Sequence, residues 1–381
     1  MATVSSLVQL IEQVSAKRIL DAAPTEDRGL AERLPYPFMA LVGQLEMRTA
    51  LLLTLINPAV NGVLLVGPRG TGKTTAVRSL ADILPHVPRS LCQYGCLPED
   101  IEAGGIDAVC PDCAKKFGEG QPLTQPDQVA LVELPLNARL EDVIGGINEL
   151  AAAHNRTMLQ RGILSRADRN LLYVDEVNLL ADEIVDSILD AAAQGQYTLR
   201  RGPLSATYRA RFAFIGSMNP EEGRLRPQIL DRFGLRLIVR GLAEPAERLE
   251  AYRRVRAYLT NPRAMVAAYE EQTLTAQREI QAARELLPNV KLTPEAESAG
   301  LELVRRMKID SLRAEITLFE SARAYAAADS RTDSTAADVR AVAPMSLRLR
   351  RSQFMEKYFE EQQGEDAEIK SVVDAVIPES T

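Results

Sequence analysis

The sequence has no tryptophan, two histidines and only 5% aromatic residues. His86 and His154 stand far apart, so no imidazole cluster is offered to a metal. The scarcity of rings also argues against a pocket that stacks on a flat macrocycle. No apolar run approaches the ~20 residues of a membrane span; Ala50 to Ile56 is a core-sized patch. The N-terminus lacks the basic, apolar and small-residue succession of a secretory signal. A cytoplasmic or similarly reducing compartment is therefore expected. Positive charge is also short: the formal net charge of −7 disfavours a general nucleic-acid or anionic-membrane binder. What remains is ordinary globular usage, 46% hydrophobic and 25% charged over 381 residues, enough chain for two domains.

The strongest positive signal is Gly67-Pro68-Arg69-Gly70-Thr71-Gly72-Lys73-Thr74, entered from Val63-Leu64-Leu65-Val66 and followed by a helix-like run from Thr75 to Leu84. It matches G-x-x-x-x-G-K-[ST] in the strand-to-helix context that the motif needs. The glycines let backbone N–H groups turn towards phosphate oxygens, and the following helix presents its positive end to them. Lys73 suits the β- and γ-phosphates of ATP, and Thr74 suits Mg²⁺. A ligand-free Gly-rich turn is the rival reading.

Along the chain, residues 1–36 begin with Leu7, Leu10, Ile11 and Val14 on one helix face. Residues 37–242 alternate short apolar runs with helix-like segments, the pattern of an α/β domain with a parallel sheet covered by helices. Strands are expected at Val63–Val66, Val129–Leu134, Leu171–Val174, Phe212–Gly216 and Leu235–Val239. From 243 to about 345 the β-signals vanish and Ala, Arg, Glu and Leu recur at helical spacing, which predicts a smaller all-α domain. Residues 346–381 form an acidic tail.

The run Leu171-Leu172-Tyr173-Val174-Asp175-Glu176 delivers two carboxylates at a strand's C-terminal end, where parallel sheets bind ligands. Asp175 suits the Mg²⁺ shell and Glu176 suits polarising the attacking water; capping of the next helix is the rival reading. Asn219, after Phe212–Met218, could hold that water from the far side or merely form a turn before Pro220. Arg232 lies on a short helix that breaks at Gly234, from which a guanidinium could reach a partner's γ-phosphate. A lone arginine is more often solvated or ion-paired.

In this order, with Val42-Gly43-Gln44 before the loop and Ser217-Met218-Asn219-Pro220-Glu221-Glu222-Gly223 after it, the chain resembles the AAA+ ATPases. Within them it resembles the I subunits of magnesium chelatase. Pro37 to Gln44, Leu134-Pro135-Leu136 through Gly145-Gly146-Ile147, Tyr173 to Leu180, and Leu225-Arg226-Pro227-Gln228 with Leu230 to Gly234 carry the likeness. It runs from about residue 36 to residue 350. The resemblance implies an ATP-hydrolysing motor that drives Mg²⁺ insertion into protoporphyrin IX during (bacterio)chlorophyll synthesis. It implies nucleotide contacts from Val42, Gly43, Gln44 and the loop through Thr75, with Mg²⁺ on Thr74 and Asp175. Glu176 would serve the water, Asn219 would be a polar sensor, Arg232 a finger for the neighbouring subunit, and Arg313 in Ser311-Leu312-Arg313-Ala314-Glu315 a second sensor touching γ-phosphate in cis. A homo-oligomeric ring, usually hexameric, is implied, with a coupling AAA+/adhesion-domain subunit and a large porphyrin-binding subunit that carries the chelation chemistry. A MoxR-like remodeller or a cobalt-chelatase motor is the alternative, and a nucleic-acid helicase comes third.

All four cysteines fall in one window as two pairs, Cys92/Cys96 and Cys110/Cys113, with thirteen residues between the pairs. In a reducing compartment that spacing suits a structural tetrahedral Zn²⁺ site, with Lys115 and Lys116 offsetting its charge. A redox switch at Cys110/Cys113 and plain reduced thiols are the rivals. Tyr197 to Arg211 reads as a hairpin around Gly202-Pro203. Its Arg200, Arg201, Arg209 and Arg211 suit ion pairing at a partner or subunit face better than DNA contact.

Overall fold

The computed structural model describes residues 34–147, 159–223 and 225–351. The expected helix over Leu7–Val14 and the acidic tail from Phe354 lie outside the described residues. Five strands form one parallel sheet: β1 (Val63–Val66), β2 (Leu131–Leu134), β3 (Leu171–Val174), β4 (Ala213–Met218) and β5 (Leu235–Ile238), in the spatial order β5-β1-β4-β3-β2. Four of the five expected strands shift by one or two residues at an end or keep their bounds. The last, β4, extends two residues further, through Ser217 and Met218, because both side chains are buried and continued pairing with β1 satisfies their backbone.

Strand residues alternate between two cores, as a period of two requires. Val63 and Leu65 of β1, with Leu171, Tyr173 and Ile215, enter the core on one face. Leu64 and Val66, with Leu172, Val174 and Phe214, enter the core on the other. Helix α1 (Leu45–Ile56) and helix α2 (Lys73–Arg78) cover the first face. The run after the phosphate loop was expected to stay helical to Leu84; α2 instead gives way to a 3₁₀ turn over Ser79–Asp82. Helix α3 (Asp182–Gln194) covers the second face through Ile184, Val185, Ile188 and Leu189, and ends at Gly195 in the left-handed region, φ 66°. The short helix α4 (Pro227–Arg232) leads into β5.

The helical region comprises α5 (Pro245–Thr260), α6 (Pro262–Ala268), α7 (Glu270–Leu286), α8 (Pro294–Arg306), α9 (Arg313–Ala328) and α10 (Ala336–Leu347). Side-chain caps start α6 at Asn261 and α8 at Thr293, and a Thr335/Asp338 capping box starts α10. The β-signal does not vanish entirely here. Lys291–Leu292 pairs in parallel with Asp333–Ser334, a link too short to leave a periodic trace in sequence. Ile280, Ala283, Val304, Leu318 and Ala322 share the first core with the sheet. Polar ties reinforce the contact: Arg284 donates to the Leu55 carbonyl at 2.6 Å and Asn57 donates to Glu320 at 2.7 Å.

The entry into β5 is sterically tight. A Cβ on Gly234 would sit 1.7 Å from the Val60 carbonyl oxygen, and the Gly234 N–H already donates to Asn61 at 3.0 Å. Gly234→Ala is expected to destabilise the fold by roughly 2–4 kcal/mol, read as a lower urea midpoint with an unchanged slope. A midpoint within error of the parent would show that the approach relaxes freely.

Candidate functional site

Parallel strands place their following loops at one sheet edge, and three of those loops build the site. The phosphate loop leaves β1, and its Gly67 N–H donates to the Met218 carbonyl of β4 at 3.1 Å. Gly67 must be glycine, since a Cβ would lie 2.1 Å from the Val239 carbonyl oxygen. Gly70 and Gly72 hold φ near 77° and 83°, with open space beside the positions of their absent Cβ atoms. Positive φ at both glycines lets backbone N–H groups turn inward, the arrangement that receives phosphate oxygens. Lys73 starts α2 and curls into the loop, where its ammonium donates to the Gly67 and Pro68 carbonyls at 2.6 and 2.8 Å. Burial pushes Lys73 below its ordinary pKa, against the pull of Asp175, Glu176 and Glu222. The loop residues from Arg69 to Thr75, with Asp175, Glu176, Ser217, Met218 and Asn219, line a cavity of about 200 Å³.

At its floor lies a hydroxyl–carboxylate network. Thr74 donates to Asp175 Oδ2 at 2.9 Å and Ser217 donates to Asp175 Oδ1. The Tyr173 hydroxyl bonds Thr74 and Ser217 at 3.3 and 3.4 Å. Burial pushes the Asp175 carboxyl up, but the hydroxyls of Ser217, Tyr173 and Thr74 outweigh it and leave the group below the usual carboxylate range. Glu176 follows at φ 53°, an uncommon conformation for a residue with a side chain. Its backbone N–H is held by Ser217 Oγ at 3.2 Å. An ionised Asp175 beside a threonine hydroxyl is the oxygen-rich donor set that Mg²⁺ prefers.

Asn219 is buried at the end of β4, and its amide donates to Glu222 at 3.1 Å. Glu222 in turn pairs with Arg69 at 2.5 Å, and Arg69 lies 3.6 Å from Glu176. Asn219, Glu176 and the loop thus line one cavity. Ser217 and Tyr173 were not singled out in the sequence as functional. Their signal was polar atoms inside otherwise apolar strands, each of which must find a partner when buried.

The remaining expected residues do not line the cavity. Gln44 donates to the Arg240 carbonyl at 2.5 Å, and Gly43 packs on Leu242. Val42-Gly43-Gln44 therefore lies against the segment that also buttresses Gly67. Arg232 is 2.7 Å from Asp190 and 3.6 Å from Asp186 of α3. Arg313, expected as a second sensor, donates to Asp231 at 2.9 Å. Asp231 concentrates cations, since Arg236 and Arg350 also approach it at 3.5 and 3.2 Å and Ser311 donates at 3.0 Å. The Asp231 carboxylate, near the end of α4, holds Arg313 among these like charges.

The four cysteines converge, and Lys115 pairs with Glu119 at 3.9 Å. In and just beyond the hairpin formed by Gln196–Arg201 and Leu204–Arg209, three of the four arginines find acidic partners within the chain. Arg201 faces Glu141 at 3.7 Å and Arg209 faces Asp100 at 3.4 Å. Arg211, just beyond, faces Asp100 and Asp168 at 3.2 and 3.3 Å.

Ser217→Ala removes one donor from Asp175, so the carboxylate's native pKa should rise towards its unfolded value. A depressed pKa favours the ionised form above it and loses that advantage as pH falls through it. Mg²⁺-dependent nucleotide binding, followed by fluorescence against pH, should therefore fail at a higher pH in Ser217→Ala than in the parent. Coincident acid limbs would remove Ser217 from the network's electrostatics.

Comparisons with known proteins agree with this geometry. The family described as "Magnesium chelatase, subunit ChlI" matches residues 144–237, and the AAA lid domain family matches residues 301–372. A magnesium-chelatase subunit ChlI homolog of Methanocaldococcus jannaschii is 40% identical over 84% of this chain and 87% of its own length. The magnesium-chelatase 38 kDa subunit of Rhodobacter capsulatus is 38% identical over 92% of this chain and 96% of its own. A crystal structure from Cytophaga hutchinsonii, 18% identical, covers 82% of this chain and 83% of its own with a TM-score of 0.52, a likeness of fold alone. With the phosphate loop, the strand order and these relatives together, the chain belongs to the magnesium chelatase ChlI-subunit family of AAA+ ATPases.

Proposed function

We propose that this chain hydrolyses MgATP as the motor subunit of a magnesium chelatase, driving Mg²⁺ insertion into protoporphyrin IX. The observation that carries the reading is the Thr74–Asp175–Ser217 network at the phosphate loop, which prepares a carboxylate and a hydroxyl for the metal that accompanies ATP. On binding, Lys73 exchanges the loop carbonyls for β- and γ-phosphate oxygens. The N–H groups from Gly70 to Thr75 cradle the phosphates, while Thr74 and Asp175 orient Mg²⁺. Glu176, held by Ser217, accepts the proton of the attacking water, and Asn219 positions that water from the other side. Val42, Gly43 and Gln44 border the base.

Arg232 serves a neighbour's nucleotide in a homo-oligomeric ring, which we take as a hexamer. Within the chain Arg232 pairs with Asp186 and Asp190, pairs it would exchange for the neighbour's γ-phosphate. Arg313, beside Asp231, serves as a second sensor that touches the γ-phosphate in cis. The motor works with a coupling AAA+/adhesion-domain subunit and a large porphyrin-binding subunit in (bacterio)chlorophyll synthesis, in the cytoplasm. Reconstitution with candidate subunits, protoporphyrin IX, Mg²⁺ and ATP tests the assignment: Mg-protoporphyrin should form only with all components. ATP hydrolysis without chelation in any combination would favour a remodeller or a cobalt-serving motor.

Lys73→Ala should abolish ATP turnover, because the loop loses its cation. Glu176→Gln should keep ATP bound while slowing hydrolysis by about a hundredfold or more. Undiminished steady-state hydrolysis in either variant would sink the site assignment. For Arg232, inactive Lys73→Ala subunits mixed with inactive Arg232→Ala subunits should recover part of the ATPase activity, since the first type donates its arginine to the second type's intact loop. No recovery despite confirmed co-assembly would count against action in trans.

A further inference from the structure

The segment from Leu91 to Leu123 stands apart from both main cores. Its two helices, Pro98–Gly104 and Pro111–Gly118, are short. Its base is a two-stranded antiparallel pair, His86–Ser90 with Thr124–Gln128. Its own buried apolar cluster consists of Cys96, Cys113 and Leu123, edged by Tyr94, Ile101 and Val109. So few apolar groups cannot hold more than thirty residues in one conformation; modules of this kind depend on a cross-link or a metal.

The cross-link is at hand. The four cysteines, all unbridged, bring their sulfurs within 4.8 Å of one another. Sulfurs at the corners of a tetrahedron around zinc, each about 2.3 Å from the metal, are roughly 3.8 Å apart. A disulfide would place one pair at about 2 Å, and a polynuclear iron–sulfur cluster would spread the four more widely. Backbone donors are already aimed at the sulfurs. The Cys96 N–H meets Cys92 Sγ at 3.4 Å and the Cys110 N–H meets Cys96 Sγ at 3.3 Å. Such donors stabilise thiolate rather than thiol, and they orient ligands around a metal.

The same segment is clamped to the arginine hairpin. The Arg209 N–H donates to the Tyr94 carbonyl at 3.0 Å, and Arg211 donates to the Gly95 carbonyl at 2.6 Å. Arg209 also reaches the Ala108 carbonyl at 3.3 Å, and Tyr94 stacks on Tyr208 with ring centres 5.6 Å apart. Gly95 has φ near 77°, and a Cβ there would meet Arg209 Cβ at 2.8 Å, so the turn between the first two cysteines is shaped by this contact.

We propose that Cys92, Cys96, Cys110 and Cys113 bind one structural Zn²⁺, and that the closed knuckle is the platform that fixes the Gln196–Arg209 hairpin. The zinc replaces four thiol protons, stays away from the nucleotide cavity and catalyses nothing. Its role is independent of the ATPase assignment.

The full chain, purified in reducing, metal-free buffer, should carry close to one zinc by elemental analysis. Replacement by Co²⁺ should give the strong visible bands and near-ultraviolet thiolate absorption of tetrahedral sulfur ligation. Cys113→Ser should bring zinc below about a tenth per chain. Should that variant fold poorly, zinc can be stripped from the parent protein by a mercurial. Hydrogen exchange should then rise by about tenfold or more over residues 91–123 and 196–211 and stay unchanged over the phosphate loop. Four freely titrating thiols without metal, stoichiometric iron, or a Cys110–Cys113 disulfide in the reduced preparation would overturn the zinc site. Unchanged hairpin exchange after zinc removal would overturn its role as platform.

Discussion

The parallel register of β1, β4 and β3 is the constraint on which the site depends. Leu65 aligns with Ser217 and Val66 with Met218, while Gly216 aligns with Val174. The three chains therefore reach the same sheet edge together, and Thr74, Asp175 and Ser217 come within hydrogen-bonding range although they are distant in sequence. A slip of one residue in any strand would turn Ser217 or Tyr173 to the opposite face. Both faces are buried against separate cores, so the cost of such a slip keeps the catalytic edge in place.

A second, smaller hub ties the helical region to α4 and the start of β5. Arg236 is 1% exposed within β5 and donates to the Leu349 carbonyl at 2.6 Å. With Arg350 and Arg313 it surrounds Asp231, whose own burial raises its pKa less than the arginines and Ser311 lower it. A buried guanidinium is tolerated only where acceptors meet it. Here those acceptors come from α4 and the turn before β5, and from the chain that follows α10. Movement of the helical region would therefore pull directly on α4, the helix that ends with Arg232.

The arginine hairpin shows why side-chain charge alone is a poor guide to partners. Arg201, Arg209 and Arg211 looked available as a cluster, yet Glu141, Asp100 and Asp168 meet them from other parts of the chain. All three of those acids precede the hairpin, 43 to 111 residues before their arginines, and no local pattern announces such pairs.

The sequence by itself determined the phosphate loop, the acid pair at the end of β3 and four apolar strands nearly to the residue. Each is encoded locally: glycines for positive φ, a short apolar run for a strand buried on both faces, carboxylates directly after it. It also determined the pairing of the cysteines, because spacing within one loop survives folding. The tertiary structure alone decided which polar atoms share a proton network, since Ser217 and Tyr173 acquire their roles only when three strands align. It alone placed Arg313, Arg236 and Arg350 around the one carboxylate of Asp231, because ion pairs between long side chains depend on which elements pack together. Where that charge lies is set by packing between elements far apart in the chain.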